Sequence, residues 1–385
     1  MEPTPELGLR TPQLRGWHPT GGARTVTGVG IEAFTGARDR LLRIIDDETD
    51  IAMILDETLA SLHAVTRFSW CALMTVDPRT LLPTGGIVEG FAAEACAPFW
   101  DNELLAPGFN KFNALARSTD TVATLYDVTD GDIERAPIYT DLYAPLGVAD
   151  ELRAAFVLGT TCWGVTDLVR ATEDGPFPSH EVSQVRSLAP LIARAFRGGV
   201  CRLDAATHGP AAMLVIDGRN QIQNMTMESR ALLDELQTSG VAEPGLPSLL
   251  GAAVTRARFS RTSTNLVTRV CGISGRWLRV TAVPMEGGRG QVGVMIEPAR
   301  SSDVVPILLE SYGLTQREVE IVLLLARGLA TKDIAAELSL SSHTVRDHVK
   351  AIFDKTHVNS RGELVARIFS EHLLDGLEAA VRHHS

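Results

Sequence analysis

Lysine is almost missing. Of 36 basic residues only Lys111, Lys332, Lys350 and Lys355 are lysines, and three of those four fall between positions 332 and 355. No Gly-Lys dipeptide occurs, which excludes a phosphate-binding loop of the nucleotide-hydrolysing kind. A basic surplus is missing too: 36 Lys+Arg against 47 Asp+Glu leave a net charge of −11. That excludes a protein coating nucleic acid through bulk positive charge and leaves room only for a small local DNA-reading surface. Cysteines are few, odd in number and far apart (Cys71, Cys96, Cys162, Cys201, Cys271), with no C-x-x-C pair. Neither a zinc site nor a disulfide framework fits, and buried or idle thiols in a reducing cytosol are expected. No apolar run approaches the roughly 20 residues of a membrane span; VEIVLLLA (319–326) comes nearest and carries a Glu. The opening MEPTPELGLRTPQLRG has acids and prolines where a secretory signal needs a basic patch and an apolar run. The expectation is a cytoplasmic protein without a membrane partner.

What is present is core-forming material: 45% hydrophobic and 22% charged residues over 385 positions, enough for two to four domains. Residues 1–30 read as a mobile tail. From Ala37 to His63, Leu41, Leu42, Ile45, Ile51, Met53, Ile54, Leu55, Leu59 and Leu62 recur at helical spacing. SWCALMTVDP (69–78) reads as a strand, with a loop or hairpin through 81–86. In 153–171, two apolar runs flank Gly159-Thr160-Thr161 like an antiparallel hairpin. A helix follows from Ser179 to Gly198-Gly199. After Pro210, 211–236 reads as strand, Asp217-Gly218 turn, strand and helix. Three further strands fall in 266–274, 276–285 and 291–299. The order over 38–197 resembles a GAF domain, and the second set resembles a PAS domain. Either resemblance implies a sensor or dimerisation module, and neither implies a particular ligand.

The last third carries the sharpest pattern. Thr315 with Glu318 forms a capping box opening a helix that Gly328 stops, with Val319, Val322, Leu323 and Ala326 as its expected buried stripe. Thr331 caps a short second helix. Ser339-Leu340-Ser341 turns the chain into a third, about 342–356, and Ser360 with Glu363 opens a fourth. Four short helices with a tight turn between the second and third describe a helix-turn-helix. On the third helix Val345, Val349, Ile352 and Phe353 face inward, while His343, Arg346, Asp347, Lys350 and Asp354 face out. Arg346 and Lys350, one turn apart, project side by side, the spacing needed to reach base edges or phosphates.

Residues 313–368 resemble the LuxR-type DNA-binding domain of bacterial transcription factors. The resemblance is carried by Leu314-Thr315, Glu318, Gly328, Ile334-Ala335, Leu338, Ser341, Thr344-Val345, His348, Ile352, Lys355, Val358 and Arg361. It implies that the third helix reads DNA, with Arg346, Asp347 and Lys350 facing bases and Thr344, Lys355 and Arg361 placed for backbone contacts. Asp347 either accepts from a cytosine amino group or orients Arg346. The fourth helix, with Leu364, Ile368, Phe369 and Leu373, is the expected dimer contact. The implied partners are double-stranded DNA, a second copy of the chain, RNA polymerase and a small-molecule effector. Residues 303–385 hold nine basic and twelve acidic residues and the core 331–361 five and four, so one domain alone should grip DNA weakly.

The expected architecture is therefore a multidomain α+β chain. It comprises a GAF-like domain (31–200), a PAS-like domain (208–300), a linker (301–310), an all-α four-helix DNA-binding domain (311–376) and a tail (377–385). The joint ARSSDVVP (299–306), polar and ending in Pro306, should leave the DNA-binding domain movable. A phosphorylated receiver is excluded because Asp46-Asp47 lie in a helical run without the later lysine. A lactone-sensing front lacks its Trp/Tyr-rich signature, and a sigma factor would need a basic-aromatic helical front. A signalling enzyme with sensor input is a further alternative, but no nucleophile–base pair, metal-ligand spacing or paired carboxylates appear; no catalytic or metal residue is assigned and the cofactor is unknown. Trp70, Phe99, Trp100, Phe109, Tyr143 and Trp163 either line a sensor pocket or pack the core, with core packing favoured. Haem through His63 or His180 and a thiol switch through Cys71 or Cys162 are minor alternatives. The front half either senses a ligand or redox signal or only dimerises.

Overall fold

A computed structural model describes residues 30–46, 50–91, 93–200, 210–236, 246–260, 265–272, 274–287, 290–366 and 368. The expected tails at 1–29 and 377–385, Cys201, and Phe369 and Leu373 of the fourth helix lie outside the described residues.

The helical run read from Ala37 to His63 is two helices, α1 (Ile31–Asp46) and α2 (Ile51–Val65). Asp50 starts the second by accepting from the Met53 N–H at 2.9 Å. Strands β1 (Trp70–Val76) and β2 (Pro83–Glu89) follow as an antiparallel pair, so of the loop or hairpin expected through 81–86 the hairpin is found, with 83–86 already in β2. The middle, which shows no clear period, holds α3 (Ala93–Leu105), the single-turn α4 (Phe112–Leu115), β3 (Val122–Thr124) and the single-turn α5 (Leu125–Val128). Then β4 (Val148–Leu158) and β5 (Thr161–Ala171) form the expected hairpin, with Gly159 at φ +64° in its two-residue turn and Leu158 opposite Thr161. The closing helix is α6 (Ser179–Val200).

These strands make one antiparallel sheet in the order β2-β1-β5-β4-β3. Both its faces are covered, which is why β1 is apolar and buried along its whole length. One face packs α1, α2 and α6 through Leu41, Ile54, Leu62, Phe156, Trp163, Val185 and Phe196. The other packs α3, α4 and the turns around 133–146 through Trp70, Met74, Phe99, Trp100, Phe112 and Tyr143. The aromatic set is therefore split by the sheet, Trp163 on the far side from the rest, and its members are core.

A second antiparallel sheet, β7-β6-β10-β9-β8, is built from β6 (Ala212–Ile216), β7 (Ile222–Met225), β8 (Leu266–Cys271), β9 (Trp277–Pro284) and β10 (Val292–Pro298). Helices α7 (Ser229–Glu235) and α8 (Ser248–Arg258) cover one face through Leu232, Leu249, Leu250, Val254 and Ala257. The two sheet units are locked together. Helix α8 lies on α3, Arg269 pairs with the fully buried Asp77 at 2.8 Å, and Trp100 Nε1 donates to Ser248 Oγ at 3.3 Å.

The segment expected as a linker is a helix, α9 (Ser301–Ser311), started where the Arg300 N–H donates to Asp303 Oδ2 at 3.0 Å. Pro306 does not end it, because the surrounding apolar residues have two cores to fill. Val304, Ile307 and Leu308 join the core of α1, α2 and α6, while Val305 and Leu309 join that of the C-terminal helices. Those helices are α10 (Gln316–Ala326), α11 (Thr331–Glu337), α12 (Ser342–Thr356) and α13 (Arg361–Val365). The chain is thus multidomain α+β: two antiparallel-sheet units followed by an all-α unit.

Candidate nucleic-acid interface

Short-range hydrogen bonds set three of the four C-terminal helices; α11 starts at Thr331 itself, behind Ala330 and without a side-chain cap bond, so Thr331 is not the cap that its residue type suggested. Thr315 Oγ1 accepts the Glu318 N–H (3.3 Å) while Glu318 Oε2 accepts the Thr315 N–H (2.6 Å), the expected capping box. Gly328, at φ +94°, lets the chain leave α10 in a left-handed conformation. Ser339 at φ +55° makes the turn out of α11, and Ser341 Oγ receives the Thr344 N–H at 3.0 Å to start α12. Ser360 does the same for α13 through Glu363 N–H at 3.1 Å. The buried stripe of α10 is Ile321, Val322, Leu324 and Leu325 rather than one containing Leu323, which is 43% exposed. The run VLLL offers apolar residues all round, so period alone does not choose its inward face; contact with α12 and α13 does.

Helix α12 separates its faces without ambiguity. Val345 and Ile352 are buried, with Val349 and Phe353 packed beside them. The exposed residues inside the helix are His343, Arg346, Asp347, Lys350 and Asp354, spaced i, i+3, i+4, i+7, i+11, a single stripe. From His343 to Lys350 the axial rise is about 10 Å, close to three base-pair steps of ~3.4 Å. Arg346 and Lys350 have no hydrogen bond or ion pair among the described residues. Asp347 does have one: its Oδ2 lies 2.8 Å from His343 Nδ1 one turn earlier, both side chains remaining open (67% and 79% exposed). Arg346 is therefore not the group that Asp347 contacts in the free protein.

The three residues expected at the DNA backbone are engaged within the domain. Thr344 Oγ1 is 2.9 Å from Ser341 Oγ. Lys355 Nζ donates to Glu318 Oε2 at 2.7 Å and ties α12 to α10. Burial raises the Glu318 carboxyl, but the bonds from Lys355 and the Thr315 N–H outweigh it and hold the group below its ordinary range. Arg361 donates to the carbonyls of Leu325 (2.6 Å) and Leu329 (2.9 Å), closing the C-terminal end of α10.

A second polar constellation lies inside the first unit, between sheet and α3. Arg153 of β4 is fully buried, its guanidinium 5.2 Å from the Phe99 ring and 4.9 Å from that of Phe112. It reaches Glu103 at 2.6 Å and Glu151 at 3.0 Å, with Asp167 at 4.0 Å. Tyr143 Oη donates to Glu151 (2.5 Å) and lies 3.1 Å from Asp167. Burial pushes the Asp167 carboxyl well above its usual range, the Glu151 charge adding to it and Arg153 opposing; burial likewise raises Glu103. The sequence reading missed this cluster. Its only signal was Glu151-x-Arg153 and Asp167 interrupting two otherwise apolar strands.

Three of the thiols are ill suited to a switch: burial pushes Cys71 up, Cys162 to about 11 and Cys271 to about 12. His63 stacks on Phe68 and contacts Glu89 at 2.9 Å. No group of three or more His, Cys, Asp or Glu side chains among the described residues is arranged to hold a metal. No helix among them is long and apolar enough to cross a membrane.

Comparison with known proteins adds to this geometry. Residues 312–368 match the family described as bacterial regulatory proteins, luxR family, and residues 50–196 match the GAF domain. The probable transcriptional regulatory protein SgaR of Hyphomicrobium methylovorum is 32% identical over 203 residues, covering 46% of this chain and 94% of that protein. The transcriptional regulatory protein DesR of Bacillus subtilis is 45% identical over 58 residues, 15% of this chain and 29% of DesR. A solved structure of SdiA in complex with octanoyl-rac-glycerol aligns over 89% of this chain and 96% of that one, at 12% identity and a TM-score of 0.33.

Proposed function

The chain belongs to the luxR family of bacterial regulatory proteins, with a GAF domain in front, and on that footing we propose that α12 is its sequence-reading helix and that the two sheet units control where α12 can go. The observation that carries this is the stripe on α12: cations at 346 and 350 with no partner among the described residues, on a helix whose opposite face is buried. Buried residues hold the helix rigid while long, solvated Arg and Lys stems reach outward, as major-groove readout requires. Arg346, Asp347 and Lys350 face the bases. Thr344, Lys355 and Arg361 serve the backbone; for Lys355 and Arg361, whose donors also hold α10, that role combines with fixing the angle of α12. The sparse basic charge of the domain favours binding as a homodimer on two half-sites about one helical turn apart. RNA polymerase is the partner through which such a protein would act on transcription.

Control enters through α9. A helix that fills two cores at once transmits a displacement in either, so we read the front units as mechanically coupled to α12 rather than joined by a loose tether. An effector shifts DNA affinity only if it binds the DNA-competent arrangement differently from the other one. The second sheet unit, with strand order β7-β6-β10-β9-β8, we read as PAS-like. In this reading the protein is a regulator and not an enzyme.

The test is operator binding by the full chain. Arg346→Ala and Lys350→Ala should each cost about 1–3 kcal/mol at the selected site while leaving the fold intact. Wild-type affinity in both variants would refute the assignment. Native mass spectrometry of the purified protein reports a bound effector directly; a chain of bare mass, whose operator affinity no small molecule alters, would leave the front units as a dimerisation platform only.

A further inference from the structure

We infer that Asp347, held by His343, is the element that reads a cytosine in the operator, through the cytosine 4-amino group. This deepens the assignment of α12 as the reading helix and rests on it. The exposed stripe carries cationic donors at 346 and 350 and carboxylates at 347 and 354, and of the two carboxylates only Asp347 lies among the cations, between His343 and Lys350. A carboxylate on a surface that approaches phosphates is repelled by them, and it is useful there only if a base offers it a hydrogen. In the major groove the amino hydrogens belong to cytosine N4 and adenine N6, and an Asp carboxylate suits the first.

The free protein already holds Asp347 for that task. His343 Nδ1 lies 2.8 Å from Oδ2, one helical turn behind. The imidazole stands against one carboxylate oxygen, Oδ2, and Oδ1 has no partner among the described residues. Arg346, the adjacent residue, makes no contact with Asp347, so it remains available for a base of its own. An aspartate is short. It therefore works only near the centre of the stripe, where the helix lies deepest in the ~12 Å groove, and 347 lies between 343 and 350. His343 is thus a positioning residue and Asp347 the contact. A merely structural i,i+4 surface pair would add a few tenths of a kcal/mol to helix stability and leave base preference untouched.

The experiment is selection of full-length protein on a randomised double-stranded DNA pool, followed by competition binding on the selected site and its single-base variants. Wild type should select cytosine at one position of each half-site, with roughly tenfold discrimination there. Asp347→Asn should change that one preference to adenine, which an amide side chain contacts through N6 and N7, and leave the other positions as they were. His343→Ala should reduce discrimination at the same position several-fold, and His343→Gln, which keeps a donor one turn behind, should restore it. If Asp347→Asn alters no position, or the position it alters was not a cytosine, the assignment of Asp347 is overturned. If His343→Ala keeps full discrimination, the positioning role falls. Arg346→Ala separates the two levels: if it and Lys350→Ala bind like wild type, the reading helix itself is wrong, whereas weakened binding with an unmoved Asp347→Asn preference defeats only the cytosine inference.

Discussion

Arg153 and Arg346 are the same residue type in opposite circumstances. Arg153 sits inside the first unit, ringed by Glu103, Glu151, Asp167, Tyr143 and two phenylalanine rings, with no exposed surface to speak of. Arg346 stands on an open helix face without a partner among the described residues. The guanidinium chemistry is identical; water and partners decide the role. Inside, the charge is costly to bury and is held by carboxylates that would be equally costly without it, so the cluster functions as one structural unit. Outside, the charge is solvated, contributes nothing to the fold, and is free for a phosphate or a guanine edge.

The comparison breaks most visibly at Arg153. Arg153→Ala leaves Glu103, Glu151 and Asp167 without their cation, and thermal or urea unfolding should show a loss of about 3–5 kcal/mol. A loss below ~1 kcal/mol would mean that the cluster relaxes by protonation at no cost. Arg346→Ala should do the reverse: unfolding within about 0.5 kcal/mol of wild type, with the operator-binding loss given above.

Arg361 stands between these extremes, because its donors close α10 from a half-buried position. Arg361→Ala should cost roughly 1–3 kcal/mol of stability in the DNA-binding unit, from two charge-assisted bonds to carbonyls. It should also weaken DNA binding more than Arg361→Lys does; equal binding by both variants and wild type would limit Arg361 to a structural role.

A smaller effect comes with pH. Because the Glu318 carboxyl is held below its ordinary value of 4.5, it binds protons less readily folded than unfolded. Its contribution is present above about pH 4.5 and is lost as pH falls through the lower folded value, which hydrogen exchange in α10 and α12 would follow. Glu318→Gln should remove that dependence and cost about 1 kcal/mol at neutral pH. An unchanged acid profile would show that the Lys355 bond is replaced by solvent. Least of all, Leu323→Gln should change stability by under ~0.5 kcal/mol, since the side chain is 43% exposed; a large loss would return Leu323 to the buried stripe read from periodicity.

By itself the sequence determined what depends on neighbours along the chain. The caps at Thr315 and Ser360, the turn at 339–341, the β4–β5 hairpin and the two faces of α12 all follow from side chains a few residues apart, and each is legible for that reason; the cap read at Thr331 is absent, and the one at Ser341 came only with the structure. The exposed stripe of α12 was legible too, since one helix displays it whole. Tertiary structure alone decided the rest. The polar start and proline of 299–306 suggest a tether, yet Val304, Ile307 and Leu308 on one face and Val305 and Leu309 on the other make a helix there, because two separate cores gain from burying it. The inward face of α10 was set by the helices it meets. The Arg153 cluster needed β4, β5, α3 and the 139–143 turn to converge, joining residues up to 64 positions apart, from Glu103 to Asp167. Local hydrogen bonds write themselves into local sequence; the cost of burying a charge, and the gain of filling a second core, depend on which distant segments arrive.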